Sequence, residues 1–143
     1  MKFKYKPKPE DKLKADFSRR KQKGLSDFKD FQEFKNWYDS KEKTCHFCGL
    51  KEEESQKIVV TGILKSNRFP QNGVLGRGQS RGMWLEVDRL KPKEKYSTLN
   101  CVLCCYFCNN DKSDVFHGQN YKEFQNNRVD YLRQLIEQKN DKR

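Results

Sequence analysis

The apolar residues near the start of the chain are spaced as on a helix. Over residues 11–23, Leu13 and Phe17 fall on one face, and the basic residues near the end suit the negative pole of the helix dipole. The glycine that follows provides a natural stop. A second helix is predicted next, with Ser26 or Asp27 as its N-cap.

Aromatic residues recur every three to four positions along this second helix. They are Phe28, Phe31, Phe34 and Trp37 or Tyr38. Helical periodicity of this kind marks a buried face, so we predict that the stripe belongs to the core and is not a platform for stacking bases.

The middle of the chain combines an ambiguous segment with a clear loop. Acidic residues over 51–56 can open a third helix, whereas 58–64 contains β-branched residues and a glycine and could equally be a strand. Residues 66–82 carry four glycines and a proline and are predicted to form a loop. Its arginines can follow a phosphate backbone or can simply be solvated. They are Arg68, Arg77 and Arg81.

The second half of the chain predicts a hairpin followed by helices. Residues 83–90 and 100–106 have strand patterns, and 91–98 form the turn between them. A short helix can begin within 109–115, and a longer one is predicted over 121–139. The apolar face of the longer helix consists of Phe124, Leu132, Leu135 and Ile136. This order of elements predicts an α+β fold.

Composition limits how far apolar burial alone can stabilise this fold. Of the 143 residues, 34% are hydrophobic and 36% are charged, so little apolar area is available per residue. The length suits a single core, for which we distinguish a basic arm and helix over 1–24 from a main domain over 25–143. The first ten residues contain two prolines and are expected to form a mobile basic arm.

The net charge of +11 favours a polyanionic partner. Such an excess concentrates nucleic acid and releases its counterions, although an anionic membrane surface or a merely soluble basic protein remain alternatives. Arg19 and Arg20 add to the candidate contacts. The chain has no apolar run near the roughly 20 residues that cross a bilayer and no signal-peptide pattern at its start. We therefore expect a soluble, cytoplasmic protein with reduced thiols.

Two Cys-x-x-Cys pairs predict a structural zinc site. Cys45 pairs with Cys48, and Cys105 with Cys108. Each pair can present two thiolates to one tetrahedral Zn²⁺, and two pairs complete a closed site that leaves no position for water. The metal would join the chain across the 56 residues between Cys48 and Cys105; otherwise the four thiols are buried or free.

A third pair, Cys101 and Cys104, competes with the second one. Both cysteines fall within the apolar run of the second predicted strand, where a thiol serves as a small buried hydrophobe. We therefore assign the zinc to Cys105 and Cys108.

The residues around the second cysteine pair form a recognisable pattern. The sequence LEVDR over 85–89, followed by NCVLCCYFCNNDKS over 100–113, resembles the ββα-metal core of HNH endonucleases, in particular that of restriction enzymes of the family. The detailed match also includes the first cysteine pair. The positions that match the family pattern are Asp88, Asn100, Cys105, Cys108, Asn109 and Lys112.

The resemblance implies an α+β fold with a small ββα-metal core, held by a four-cysteine zinc site and flanked by helices. Asp88 and the side-chain oxygen of Asn109 would hold a catalytic Mg²⁺ or Mn²⁺, which neutralises charge during phosphodiester hydrolysis. Asn100 would orient the turn through hydrogen bonds to backbone, and Lys112 could contact phosphate. The expected substrate is double-stranded DNA, with a homodimer if the cut site is palindromic.

Arg89 stands where HNH enzymes usually have a histidine as general base. Arginine stays protonated at neutral pH and cannot take a proton. Either Arg89 clamps the scissile phosphate while Tyr96, His46 or His117 activates water, or the ion activates water directly, or the enzyme is inactive.

Two further functions remain open beside a site-specific restriction or homing endonuclease. A non-catalytic zinc-ribbon nucleic-acid binder needs only the cysteines and the charge, but it has no use for Asp88, Asn100 and Asn109 at nuclease spacing. A nonspecific nuclease acting as a toxin or defence effector would carry the same residues, because specificity would reside in the loop over 66–82, the basic arm and the groove contacts.

Overall fold

Helices dominate the part of the chain that the structure describes, residues 3–141. In this computed structural model the elements are α1 (Glu10–Gln22), α2 (Phe31–Ser40), α3 (Glu52–Val60), β1 (Glu86–Arg89), β2 (Cys101–Cys104), α4 (Tyr106–Lys112), α5 (Gly118–Phe124) and α6 (Val129–Asp141). The mixed α+β class predicted from the sequence is confirmed. None of the helices within 3–141 is long and apolar enough to cross a membrane.

The two strands form one antiparallel pair. Asp88 lies opposite Val102, and alternation along β1 places Glu86 and Asp88 on the same face of the sheet. Each strand has four residues, fewer than the predicted 83–90 and 100–106. β2 ends at Cys104 because the next residue, Cys105, is the N-cap of the following helix.

α4 begins directly after β2, earlier than the predicted 109–115. Cys105 is its N-cap, and the Cys105 sulfur accepts a hydrogen bond from the backbone N–H of Cys108 (3.4 Å). The second cysteine pair therefore forms the first turn of the helix that carries Asn109 and Lys112.

The aromatic stripe of α2 is part of the core, as predicted. Phe34 is 2% exposed and packs against Phe17 of α1, with ring centroids 5.7 Å apart, and against Phe28 at 5.3 Å. Leu13 and Phe17 of α1 are buried in the same core. Helices α1 and α2 therefore share one apolar layer with the strands and the cysteines.

α2 starts later than the predicted caps at Ser26 or Asp27. Its N-cap is Asp30, whose carboxylate accepts a hydrogen bond from the backbone N–H three residues ahead (2.9 Å). Asp27 instead donates its backbone N–H to the carbonyl oxygen of Tyr96 (2.8 Å). This segment is extended because it pairs with the turn between the strands.

The ambiguous segment after the first cysteine pair is helical, and α3 ends at Val60. Ile58 and Val59 are 0% and 1% exposed and pack in a second core cluster with Met83 and Trp84. Burial of one helix face decides the structure here, although β-branched residues are weak helix formers.

The N-terminal arm is ordered against α3, so the prediction of a mobile arm is wrong for residues 3–9. The backbone of Lys6 exchanges two hydrogen bonds with the side chain of Gln56 (both 2.9 Å), and Trp84 donates to the Lys6 carbonyl (2.8 Å). Tyr5 donates its hydroxyl to Glu52. Glu52 and Gln56 are each 1% exposed and need these partners. Residues 1 and 2 of the predicted arm lie outside the described residues.

The predicted helix over 121–139 is divided into α5 and α6. Asn127 lies between them with a φ of +70°, a left-handed conformation that interrupts the helix. Phe124 is 60% exposed, so its predicted place on the buried face is wrong. The buried Gln125 donates to the carbonyl of Phe47 (2.7 Å) and holds the end of α5 against the first cysteine pair.

Candidate metal centre and active site

Four cysteine sulfurs form a compact cluster. The cysteine cluster consists of Cys45, Cys48, Cys105 and Cys108, and its sulfurs all lie within 4.8 Å of one another. The Cys48 and Cys105 sulfurs are 3.8 Å apart, far beyond a disulfide bond of about 2.05 Å. A tetrahedral zinc with Zn–S bonds of about 2.3 Å separates its sulfurs by roughly 3.8 Å. The cluster therefore has the dimensions of a four-thiolate metal site.

The chain positions these sulfurs with two tight turns. Gly49 has a φ of +83° and returns its backbone N–H to the carbonyl of Cys45 (3.0 Å), which closes the first turn. The backbone N–H of His46 binds the carbonyl of Leu103 in β2 (2.9 Å), so the first turn is attached to the sheet. The second turn is the start of α4.

The competing cysteines lie outside the cluster. Cys101 and Cys104 are 3% and 0% exposed and belong to the hydrophobic core, as predicted. Burial raises the pKa of the Cys101 thiol to about 11, which disfavours the thiolate that a metal needs.

A second group of polar residues joins β1 to α4. The Asp88 cluster consists of Glu86 and Asp88 on one face of β1 and Asn109 and Lys112 on α4. Asn109 and Lys112 are three residues apart and share one face of the helix. Each strand residue contacts one helix residue: Asn109 donates to Glu86 (2.6 Å), and Lys112 Nζ lies 3.1 Å from Asp88 Oδ2.

Asp88 presents a buried carboxylate oxygen to α4. Its side chain is 14% exposed, and the Lys112 ammonium group, 3.1 Å from Oδ2, is the one group that pairs with this oxygen among the described residues. Burial raises the pKa of Asp88, against the opposing effect of the Lys112 charge. A buried carboxylate oxygen of this kind is favourable for a bound cation, so the residues present fit a divalent ion.

Glu86 determines how the amide of Asn109 is oriented. It accepts the Asn109 amide N–H, which leaves the amide oxygen of Asn109 free to face another partner. Glu86 is itself held by Arg81 through two hydrogen bonds of 2.8 and 3.0 Å. Our sequence analysis missed Glu86, although its place two residues before Asp88 on a strand was the signal that could have identified it.

Asn100 fastens the turn between the strands. It is 8% exposed, its amide oxygen accepts the backbone N–H of Lys91 (2.9 Å), and its amide nitrogen donates to three backbone carbonyls, the shortest at Lys95 (3.0 Å). These bonds fix the segment that carries Tyr96.

Tyr96 lies against two guanidinium groups. The guanidinium carbons of Arg20 and Arg89 are each 4.7 Å from the centre of its ring, within cation–π distance. The structure thus brings the side chains of Arg89 and Tyr96 together. His46 and His117 are both exposed, and within residues 3–141 neither side chain forms a hydrogen bond with the Asp88 cluster.

The three arginines of the glycine-rich loop differ in their surroundings. Arg77 is exposed in the tight turn at 76–79. Arg68 donates to the hydroxyl of Tyr106 (2.9 Å), and the guanidinium of Arg81 lies 4.7 Å from the centre of the same ring. Arg68 and Arg81 therefore anchor the loop to the first turn of α4.

The remaining basic candidates lie on α1 and α4. Arg19 is 60% exposed and pairs with Asp16 (2.8 Å), and Arg20 stacks on Tyr96. Lys112 is 0% exposed, and its ammonium group also donates to the carbonyl of Arg89 (3.1 Å). The phosphate contact expected of Lys112 therefore needs correction, because a buried ammonium group has no surface to offer.

Comparison with solved structures returned the rare-cutting HNH restriction endonuclease PacI. The similarity has a TM-score of 0.60 with 22% sequence identity, and it covers 80% of this chain and 72% of that chain. The chain has an HNH-like fold. The HNH-like fold implied by the sequence motifs is thereby confirmed. No protein-family model matches the chain, and no curated protein sequence matches it.

Proposed function

We propose that the protein is a metal-dependent endonuclease that hydrolyses phosphodiester bonds in double-stranded DNA, with β1, β2 and α4 as its ββα-metal core. The observation that carries this proposal is the buried Oδ2 of Asp88, which faces α4 and has only the Lys112 ammonium group beside it among the described residues. A module that only binds DNA gains nothing from a buried carboxylate, because its negative charge opposes the basic residues that attract the phosphate backbone. The HNH-like fold and the charge of +11 add support.

In this proposal Asp88 and Asn109 hold Mg²⁺ or Mn²⁺. When bound, the ion supplies charge neutralisation at the phosphate and stabilises the leaving oxygen. Lys112 supplies positive charge next to Asp88 until the ion binds, and Glu86 keeps the amide oxygen of Asn109 available. The cysteine cluster would hold a structural Zn²⁺ that fixes the start of α4.

Arg89 would bind the scissile phosphate, since a guanidinium matches phosphate geometry and cannot act as a base. Tyr96 is the candidate group to take the proton from the attacking water, because its ring contacts Arg89 and its backbone is fixed by the turn that Asn100 fastens. A general base contributes about 100- to 10,000-fold to a rate. We therefore expect Tyr96→Phe to lower cleavage by at least about 100-fold, and His46→Asn and His117→Asn to change it little.

The first experiment is incubation of supercoiled plasmid with the zinc-loaded protein and Mg²⁺, read on a gel. We expect metal-dependent nicking or linearisation that is lost in Asp88→Ala and on chelation. Asp114→Ala is the matched control, because Asp114 is exposed after α4 and lies outside the Asp88 cluster. Discrete fragments would indicate a site-specific enzyme of restriction or homing type, and a smear would indicate a nonspecific effector. DNA binding without cleavage for any ion would replace the proposal with a zinc-ribbon binder.

A further inference from the structure

A groove lined with lysines runs beside α3. Its volume is about 1490 Å³, and its walls are formed by the N-terminal arm, the end of α3, the following loop and α6. Five lysines and one glutamate line this lysine groove, and none of its lining residues belongs to the cysteine cluster or to the Asp88 cluster. The charged residues are Lys4, Lys6, Lys57, Lys65, Lys139 and Glu53.

The positive charges of the groove are not neutralised within the protein. Among the described residues, none of the five lysines forms an ion pair. Only Lys139 has a side-chain hydrogen bond there, to the carbonyl of Thr61. Like charges that line one groove raise the local concentration of anions and favour an anionic ligand.

The arm that forms one wall is held in place by buried groups. The side chain of Gln56 binds both the backbone N–H and the carbonyl of Lys6, and Trp84 donates to the same carbonyl. The position of this wall therefore does not depend on the lysine side chains. These hydrogen bonds keep Lys4 and Lys6 in the lining of the groove.

We propose that the lysine groove binds the phosphate backbone of a DNA duplex, at a place separate from the point of cleavage. The volume exceeds the roughly 300–1,000 Å³ of small-molecule pockets. The lysines come from four segments of the chain, which suits a row of phosphates better than one small anion. The glycine-rich loop borders the groove at 70–73 and reaches the Asp88 cluster through Arg81, so one duplex can contact both places. This inference rests on the proposed DNA-binding function.

The test is the salt dependence of duplex binding, because each phosphate contact contributes about 0.9 to the slope of log K against log salt. The groove variant combines Lys4→Gln, Lys6→Gln, Lys57→Gln and Lys65→Gln. The control has the same charge change at exposed lysines outside the groove: Lys14→Gln, Lys29→Gln, Lys93→Gln and Lys122→Gln. Fluorescence anisotropy with a 40-base-pair duplex, without added Mg²⁺, measures binding independently of cleavage.

We expect the groove variant to lower the slope by about 3 to 4, and the control to lower it by less than about 1. A groove variant with the wild-type slope would overturn the groove proposal and leave the endonuclease proposal standing. Equal losses in both variants would also overturn it, because charge alone would then explain binding. Thermal stabilisation by inorganic phosphate that only the groove variant loses, with the duplex slope unchanged, would assign the groove to a small anion instead. If the wild-type protein binds no duplex at low salt, both proposals fail.

Discussion

Removal of the first cysteine pair tests how far the fold depends on a metal. In the double variant Cys45→Ser and Cys48→Ser, two of the four sulfurs disappear while Cys105 and Cys108 remain. A cross-link between Cys48 and Cys105 closes a loop across 57 positions of the chain. Losing a covalent cross-link over a loop of that length costs roughly 4 kcal/mol at 25 °C in chain entropy, and a metal link constrains the unfolded chain in the same way.

That loss is large for a chain of this size. Small domains have an unfolding free energy of about 5–15 kcal/mol in total. With an unfolding entropy of about 2.1 cal/mol/K per residue, a loss of 4 kcal/mol lowers the Tm by roughly 13 °C for 143 residues. The real shift should be larger, because Phe47 and Leu50, which the first turn carries, are 3% and 0% exposed and would lose their packing.

The assay combines zinc content per chain with thermal unfolding followed by circular dichroism. We expect one zinc in the wild-type protein and none in the double variant. The matched control is Cys101→Ala with Cys104→Ala, which removes the neighbouring pair from the core but leaves the cysteine cluster intact. A double variant that keeps its zinc and a Tm within about 3 °C of wild type would show that the fold does not depend on a metal at these cysteines. Loss of zinc from the control would show that the wrong pair was assigned.

Three other substitutions probe the groups around the candidate active site. Lys112→Met removes the buried partner of Asp88 and should lower the free energy of unfolding in urea by about 3 kcal/mol. Mg²⁺ should stabilise this variant more than the wild-type protein, because the ion replaces the lost positive charge. Glu86→Gln should weaken Mn²⁺ binding about 10- to 100-fold by calorimetry, because the amide of Asn109 is no longer fixed. Gly82→Ala should cost about 1–3 kcal/mol, since φ is +83° and the new Cβ would lie 2.7 Å from a valine methyl group.

Two of these substitutions have a control of the same kind, and Lys112→Met is compared with the wild-type protein. Equal stabilisation of Lys112→Met and wild type by Mg²⁺ would show that lysine and ion do not share Asp88. Glu94→Gln changes an exposed glutamate in a surface ion pair and should leave Mn²⁺ affinity unaltered. Gly24 also has a positive φ, of +69°, but a Cβ added there would have no atom within 4 Å. If Gly24→Ala lowers the free energy of unfolding as much as Gly82→Ala does, the clash plays no part.

The sequence by itself determined the features that depend on local spacing. The clustering of the four cysteines could be predicted because each pair lies on one tight turn, in which two residues between the thiols are enough. The aromatic stripe of α2 could be predicted because helical periodicity records which face is buried. The places of Asp88 on a strand and Asn109 on a helix could also be predicted, because the strand end and the helix start lie within a few residues of them.

Only the tertiary structure decided which distant groups meet. The arm near Lys6 is fixed by α3, some 50 positions away, because buried Gln56 must find hydrogen-bond partners. Lys112 has no surface for a phosphate because α4 packs it beneath β1 against Asp88. The start of α2 is displaced because the preceding segment pairs with Tyr96. Spacing records what a residue can do within its own element, whereas packing and the pairing of buried polar groups determine which partner it has.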